Sequence, residues 1–145
     1  MSSEFLETTI DKFMLRVKRG LRYSEDHIWI QKENQHCSLG LTDYAQRRSG
    51  DLVFIEFPVS GGRVKAGDPV ALYETIKAAL EAKAPFDCGV EELNRVLEGR
   101  PELINEEPYG AGWIARVKPV DPESVDSLLS PEQYFELMKE EATQS

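Results

Sequence analysis

Apolar side chains in the first twenty positions fall at Leu6, Ile10, Phe13, Met14 and Val17, the i, i+4, i+7, i+8 and i+11 positions of one helical face. This spacing predicts a helix over residues 4–19. Ser3 would cap its start, Lys18 and Arg19 would suit the negative end of its dipole, and Gly20 would close it. Such a helix either packs on the domain's own surface or docks a partner. From Arg22 to Pro119 the pattern changes to short runs broken by turns. Ile28-Trp29-Ile30, Cys37 to Leu41, Leu52 to Phe57, Pro69 to Tyr73 and Trp113 to Val117 read as strands. Cys37, Leu39 and Leu41 would share one face, and Pro58 would stop the third run. Many short strands at close spacing predict a sandwich or small barrel. Thr42 to Arg48 reads as one short helix capped by Thr42 or Asp43. After Pro119 the chain turns helical. Asp121 precedes Pro122 at a first helical position, and Ser130 with Gln133 forms a capping box before Tyr134, Phe135, Leu137 and Met138. Glu140 to Ser145 reads as a frayed end. The predicted organisation is an amino-terminal helical extension (1–20), a β domain (21–120), and carboxy-terminal helices with a tail (121–145).

Composition narrows the function. A chain of 145 residues is one domain with room for a real core. Hydrophobic residues at 41% and charged residues at 30% read as soluble and globular. The net charge of −9 argues against nucleic acid and anionic membrane surfaces, which need a basic face, and fits steering toward basic surfaces on partner proteins. No apolar run is long enough to span a membrane, and Met1 to Glu7 lacks the apolar stretch of a secretory signal. Two cysteines are too few for a disulfide scaffold, so a reducing, cytoplasmic setting is expected.

Candidate chemistry is sparse. His27, His36, Cys37 and Cys88 show no metal-ligand spacing, and His36 and Cys37 would point to opposite faces of a strand. Cys37 reads as a small buried hydrophobe. Asp87-Cys88-Gly89 reads as a turn, which would expose the Cys88 thiol, either as a tolerated surface group or in a redox role. Gly61 to Asp68 holds three glycines but no phosphate-binding motif, and Gly67-Asp68 reads as a turn between strands. No acid–base or nucleophile constellation is visible, so a self-contained enzyme is not expected. One residue stands apart. Lys77, in Glu74-Thr75-Ile76-Lys77-Ala78, has β-formers before it and small alanines after it. That placement suits a hairpin tip, where a lysine is either a solvated turn residue or a group held up for modification.

The text around Lys77 favours modification. Gly40-Leu41-Thr42-Asp43-Tyr44-Ala45-Gln46 is followed by Gly50 to Pro58, Val64 to Pro69, Glu74 to Ala78 and Ala84-Pro85. Pro101 to Asn105, Pro108-Tyr109 and Gly112-Trp113-Ile114 complete the series. In this order and spacing the chain, from about Tyr23 to Tyr134, resembles the H protein of the glycine cleavage system. The resemblance implies a mainly β fold with flanking helices, a lipoyl-domain-like hybrid barrel-sandwich over 21–120. It implies lipoate in amide linkage on Lys77, with Glu74 on the surface read by a lipoate ligase or lipoyl synthesis enzymes. A biotin carrier would place its lysine between methionines, and Ile76 and Ala78 do not fit that pattern.

The chain also departs from the family. The family's His-Glu-Trp is here His27-Ile28-Trp29, and the serine and aspartate after the lipoyl lysine correspond to Leu80 and Glu81. Pro85-Phe86-Asp87-Cys88-Gly89 replaces a Pro-Val-Ser-Gly turn. Ile28, Leu80 and Glu81 are therefore expected to line a more apolar arm cleft, poorly suited to an amine cargo. This pattern resembles the H-protein relatives that serve bacterial sulfur oxidation. The expected role is a lipoyl carrier moving sulfur-bound intermediates or reducing equivalents between a heterodisulfide-reductase-like complex and dihydrolipoamide dehydrogenase. The alternatives are an H protein carrying the aminomethyl group among the glycine cleavage P, T and L proteins, and an unlipoylated interaction module.

Overall fold

The computed structural model describes residues 4–144. Its first element corrects the helix expected over 4–19, and with it the helical extension assigned to 1–20. Strands β1 (Phe5–Ile10) and β2 (Phe13–Lys18) pair antiparallel, from Phe5 opposite Lys18 to Ile10 opposite Phe13. The turn decides the outcome. Asp11 and Lys12 both adopt positive φ, 48° and 75°, as in the two-residue turn whose twist matches paired strands. Leu15 and Val17 are buried while Met14 is exposed, which is a period of two. Helical and strand spacing coincide at Phe13 and Val17, so the wrong period also fitted. Thr8 and Thr9 add β-branched crowding that disfavours a helix. Ser3, the expected cap, lies outside the described residues.

The body is two antiparallel sheets. Strands β3 (Arg22–Tyr23), β4 (Ile28–Glu33) and β5 (His36–Leu41) are followed by helix α1 (Asp43–Ser49), then by β6 (Leu52–Glu56), β7 (Gly62–Val64), β8 (Pro69–Thr75), β9 (Ala79–Lys83) and β10 (Cys88–Leu93). Two one-turn helices, α2 (Val96–Gly99) and α3 (Leu103–Glu106), precede β11 (Ala115–Pro119). Helices α4 (Glu123–Asp126) and α5 (Pro131–Gln144) end the chain. Six strands run in the order β3-β4-β5-β11-β10-β7 and three in the order β6-β8-β9. Ile30, Leu39, Val117, Ala71, Tyr73 and Ala82 belong to the core between them.

The five expected strand runs, the Thr42 cap and the capping box are all present. Thr42 Oγ1 accepts from Ala45 N at 3.2 Å. Gln133 N donates to Ser130 Oγ and Ser130 N to Gln133 Oε1, at 3.1 and 2.9 Å. Strand β9 was illegible because Ala79-Leu80-Glu81-Ala82-Lys83 is made of helix formers. Pairing to β8 imposes the extended state. Helix α5 runs to Gln144, so Glu140 to Gln144, expected to fray, is helical, and Ser145 lies outside the described residues.

The terminal elements build a second core. Leu15 and Val17 of β2 meet Trp29, Tyr44, Tyr134 and Met138. The Tyr23 and Tyr134 rings stack at 4.6 Å, 11° from parallel. Trp29 lies across Gly40, its partner in the β4–β5 register, so closely that a Cβ at 40 would come 2.5 Å from the indole. The indole Nε1 donates to Pro108 O at 2.8 Å. A Cβ at Gly112 would sit 2.8 Å from Leu103 O, Ile104 Cα and Glu107 O, all backbone atoms. Gly112→Ala is therefore expected to lower the unfolding free energy by about 1–3 kcal/mol, read from urea denaturation, because a backbone neighbour cannot swing away.

Candidate functional site

Lys77 stands on the turn between β8 and β9. Glu74 pairs with Ala79, and Thr75 N donates to Ala78 O at 2.9 Å, which closes the loop beneath the lysine. Strand β8 is paired on both flanks, to β6 and to β9, so the tip rests on a fixed base. Ile76 and Lys77 are both exposed, Ile76 at 92%. Among the described residues the Lys77 amine has no hydrogen-bond or ion-pair partner. The Thr75 hydroxyl, directly below, is the one buried side-chain polar atom among them without a partner.

A brace not recognised from sequence supports the neighbouring chain. Gly50 closes α1 at φ 87°, and a Cβ there would lie 3.7 Å from Lys77 Cε. Asn105 Nδ2 donates to Gly50 O at 3.1 Å and to Gln46 Oε1 at 3.0 Å, while its Oδ1 accepts from Leu52 N at 2.9 Å. One side chain thus ties the end of α1 to the start of β6, beside the lysine. Its presence in the Pro101–Asn105 motif was the available signal, but only folding reveals its partners.

Helix α1 is clamped to α5 by a directed chain of hydrogen bonds. His27 is buried at φ 67°. Its Nδ1 meets Tyr134 OH at 2.8 Å, its Nε2 meets Glu141 Oε2 at 3.0 Å, and Tyr134 OH meets Thr42 Oγ1 at 2.7 Å. Since Glu141 can only accept, the imidazole donates from Nε2, and Nδ1 then accepts from Tyr134. Arg48 Nη1 donates to the same Glu141 oxygen at 3.2 Å. Burial, more than the opposing pull of Glu141, holds His27 below the ordinary value of 6.5 and keeps it neutral.

Lys77 borders a groove of about 280 Å³, together with Ile10, Phe13 and Leu15 of the amino-terminal hairpin and Tyr44 and Arg47 of α1. The Arg47 guanidinium lies 5.3 Å over the Phe13 ring and that of Arg48 lies 5.2 Å over Tyr44. The residues expected to line the arm cleft lie elsewhere. Ile28 is fully buried in the main core and has no surface to offer. Leu80, opposite Tyr73, packs against that core, whereas Glu81, opposite Leu72, is exposed. Leu80, Glu81 and Glu74 border a separate depression of about 350 Å³ with Phe54 and Leu72. Cys88 corrects another expectation. It lies in β10, fully buried, and burial pushes its thiol up to about 12, as it pushes Cys37 up to about 11. Neither is a thiolate near neutrality. Among the described residues no cluster of three His, Cys, Asp or Glu is placed to hold a metal, and no helix is long and apolar enough to cross a membrane.

Known proteins match this architecture. The profile of the glycine cleavage H-protein family covers residues 21–141. A probable glycine cleavage system H protein of Aeropyrum pernix is 38% identical over 139 residues, 96% of this chain and 97% of that protein. The glycine cleavage system H protein of Carboxydothermus hydrogenoformans is 42% identical over 125 residues, 86% of this chain and 96% of that protein. The crystal structure of a glycine cleavage system H protein from Mycobacterium marinum superposes with a TM-score of 0.71 at 31% identity, covering 79% of this chain and 93% of that one. The lipoyl-domain-like fold implied by the sequence motifs is therefore present.

Two outcomes are expected of the clamp. Tyr134→Phe removes a hydroxyl that serves both His27 and Thr42, and should cost about 1–3 kcal/mol in urea denaturation. Because His27 is held below its ordinary value, the unfolded chain gains a proton that the folded chain resists as pH falls through the mid-sixes. The denaturation midpoint should drop between about pH 7.5 and about pH 5.5, and His27→Asn should flatten that drop.

Proposed function

Because the chain belongs to the glycine cleavage H-protein family, whose members carry covalently attached lipoate and act as carriers rather than enzymes, we propose that Lys77 is its lipoylation site. We further propose that its cargo is the aminomethyl group of the glycine cleavage system, with the P, T and L proteins as its partners. The observation that carries the first proposal is a lysine whose amine has no partner among the described residues, raised on a hairpin whose central strand is paired on both sides. Such an amine is open to acylation, and its rigid base fixes where the attached arm begins. The names of the relatives support the second proposal.

When bound, lipoate supplies a disulfide that opens to take up a sulfur-linked group and closes again on reoxidation. The chain's own residues present and steer. Joining Nζ to a carboxyl group replaces an ammonium with a neutral amide, leaving Glu74 and Glu81 as the acidic marks of the hairpin surface. Glu74 is exposed one strand position before the turn, where a lipoate ligase or a lipoyl synthesis enzyme could read it. The net charge of −9 favours encounter with basic faces on successive partners, and tethering raises the arm's local concentration at each.

Sulfur oxidation with a heterodisulfide-reductase-like complex and dihydrolipoamide dehydrogenase is the second reading. Its support was an apolar cleft made by Ile28 and Leu80. Burial of Ile28 withdraws half of that support, and Leu80 at its depression is what remains. An unlipoylated interaction module is the third.

Mass analysis of the Lys77 peptide from the native host decides among them. A lipoyl adduct absent from Lys77→Arg is expected, and bare lysine in native material would overturn the carrier reading. With the glycine decarboxylase and glycine, the lipoylated chain should gain an aminomethyl adduct. Extra sulfur on the native arm, with no aminomethyl loading, would transfer the assignment to sulfur chemistry.

A further inference from the structure

We propose that the open edge of β1, Phe5–Ile10, pairs antiparallel with β1 of a second copy of this chain, with the two-fold axis at Thr8. The proposal goes beyond the carrier reading and does not depend on it. The hairpin lies outside the residues matched by the family profile, which begins at residue 21. Hydrogen-bond alternation fixes which of its backbone groups face outward. Arg19 N donates to Glu4 O at 2.8 Å, so the pair at the open end of the hairpin is hydrogen-bonded. Along the register from there, Leu6–Val17, Thr8–Leu15 and Ile10–Phe13 exchange bonds, whereas Phe5–Lys18, Glu7–Arg16 and Thr9–Met14 do not. Arg16 agrees with this count, because its N–H goes to Asp43 Oδ2 at 3.0 Å and its carbonyl accepts from Tyr109 OH at 2.7 Å. Those bonds seal the β2 edge. On β1 the backbone groups of Glu7 and Thr9 point away from β2, and among the described residues they have no hydrogen-bond partner.

The other outer strands are protected against such pairing. Leu129 exchanges backbone bonds with Tyr23 of β3, and Asn105 takes the Leu52 N–H of β6. Strand β7 is three residues long with Arg63 at its centre, and β9 carries Glu81 and Lys83. Strand β1 has six residues without proline, lysine or bulge, and its one charge, Glu7, is matched by Arg16 at 3.1 Å. Its own sequence then selects the partner. Open groups at positions 7 and 9 allow two long self-pairings. An axis on Glu7 would set like charges directly opposite, which is destabilising. An axis on Thr8 sets Glu7 opposite Thr9, Thr8 opposite Thr8, and Leu6 opposite Ile10 of the second copy. Threonine pairs and apolar pairs are favourable neighbours across a ladder. Leu6 and Ile10 are only partly buried in the single chain, so they have surface left to cover. The same register brings Lys12 of each copy beside Glu4 of the other, and neither has an ion-pair partner among the described residues. The product is one four-stranded sheet running through the axis.

The test is sedimentation of the full chain over a range of micromolar concentrations, at an ionic strength that screens the charge of −9 on each copy. A monomer–dimer equilibrium is expected. Thr9→Pro removes only an outward N–H, and should weaken the dimer roughly tenfold or more while the urea midpoint of the chain holds. Disulfide trapping tests the register. In a Lys77→Arg background, which keeps any arm sulfur out of the reaction, Thr8→Cys should form a linked dimer at least about tenfold faster than Glu7→Cys. Opposed residues of a pair without hydrogen bonds have Cα atoms about 4.5 Å apart, within disulfide reach, whereas position 7 faces position 9. Cys37 and Cys88 are buried and should not contribute while the chain is folded. A monomer at every concentration, with no preference for trapping at position 8, would overturn the proposal and leave the edge to a strand of another protein. A dimer that Thr9→Pro does not weaken would also overturn it, as would faster trapping at position 7.

Discussion

Backbone pairing along β8 is the constraint on which the site depends. This strand is bonded to β6 on one side and β9 on the other, in registers that place Thr75 opposite Leu52 and Glu74 opposite Ala79. A lysine on a free loop would sample many directions. On this turn the lysine has a fixed origin, and reach is left to its own side chain. Rigidity at the base and freedom at the end are what a carrier needs, since the moving part must visit several partners while the scaffold is recognised by each. The brace at Asn105 extends the same logic to the end of α1, where Gly50 leaves room beside the Lys77 side chain.

A second layer of order comes from the termini. The hairpin and α5 close over Trp29, Tyr44 and Tyr23, giving this chain a core beyond the two-sheet sandwich. The clamp from Thr42 through Tyr134, His27 and Glu141 to Arg48 reaches both ends of α1, so the helix next to Lys77 is positioned by the last helix of the chain. Each polar group in it has a partner of the complementary kind, which is the condition for burying such a chain of groups without loss. The groove beside Lys77 inherits its walls from this layer, so the termini shape the surroundings of the site even though they supply no reactive group.

Family membership and geometry bear on different questions. The family fixes the class of molecule, a lipoyl carrier. The geometry explains why Lys77 suits that role, and why the cysteines, buried and held as thiols, take no part in it. The substitutions that suggested sulfur cargo lose weight once their positions are known. Ile28 is a core residue of β4, where an apolar side chain needs no functional explanation.

The sequence alone determined the β body, the Thr42 cap, the Ser130–Gln133 capping box and the lysine-bearing turn. These are written in local signals: period-two apolar runs, capping residues, and small or polar residues at turns. It also carried the family, through motifs spread from Gly40 to Ile114. Tertiary structure alone decided the rest. The first twenty residues fitted two periods, and a turn with two positive φ angles, together with burial of Leu15 and Val17, selected the hairpin. Strand β9 is spelled in helix formers and is extended only because β8 offers a ladder. Cys88 lies in a stretch that reads as a turn, yet it is sealed within β10. Asn105, Gly50 and the hairpin came together around Lys77 through contacts between residues far apart in the chain, and no local pattern encodes such contacts.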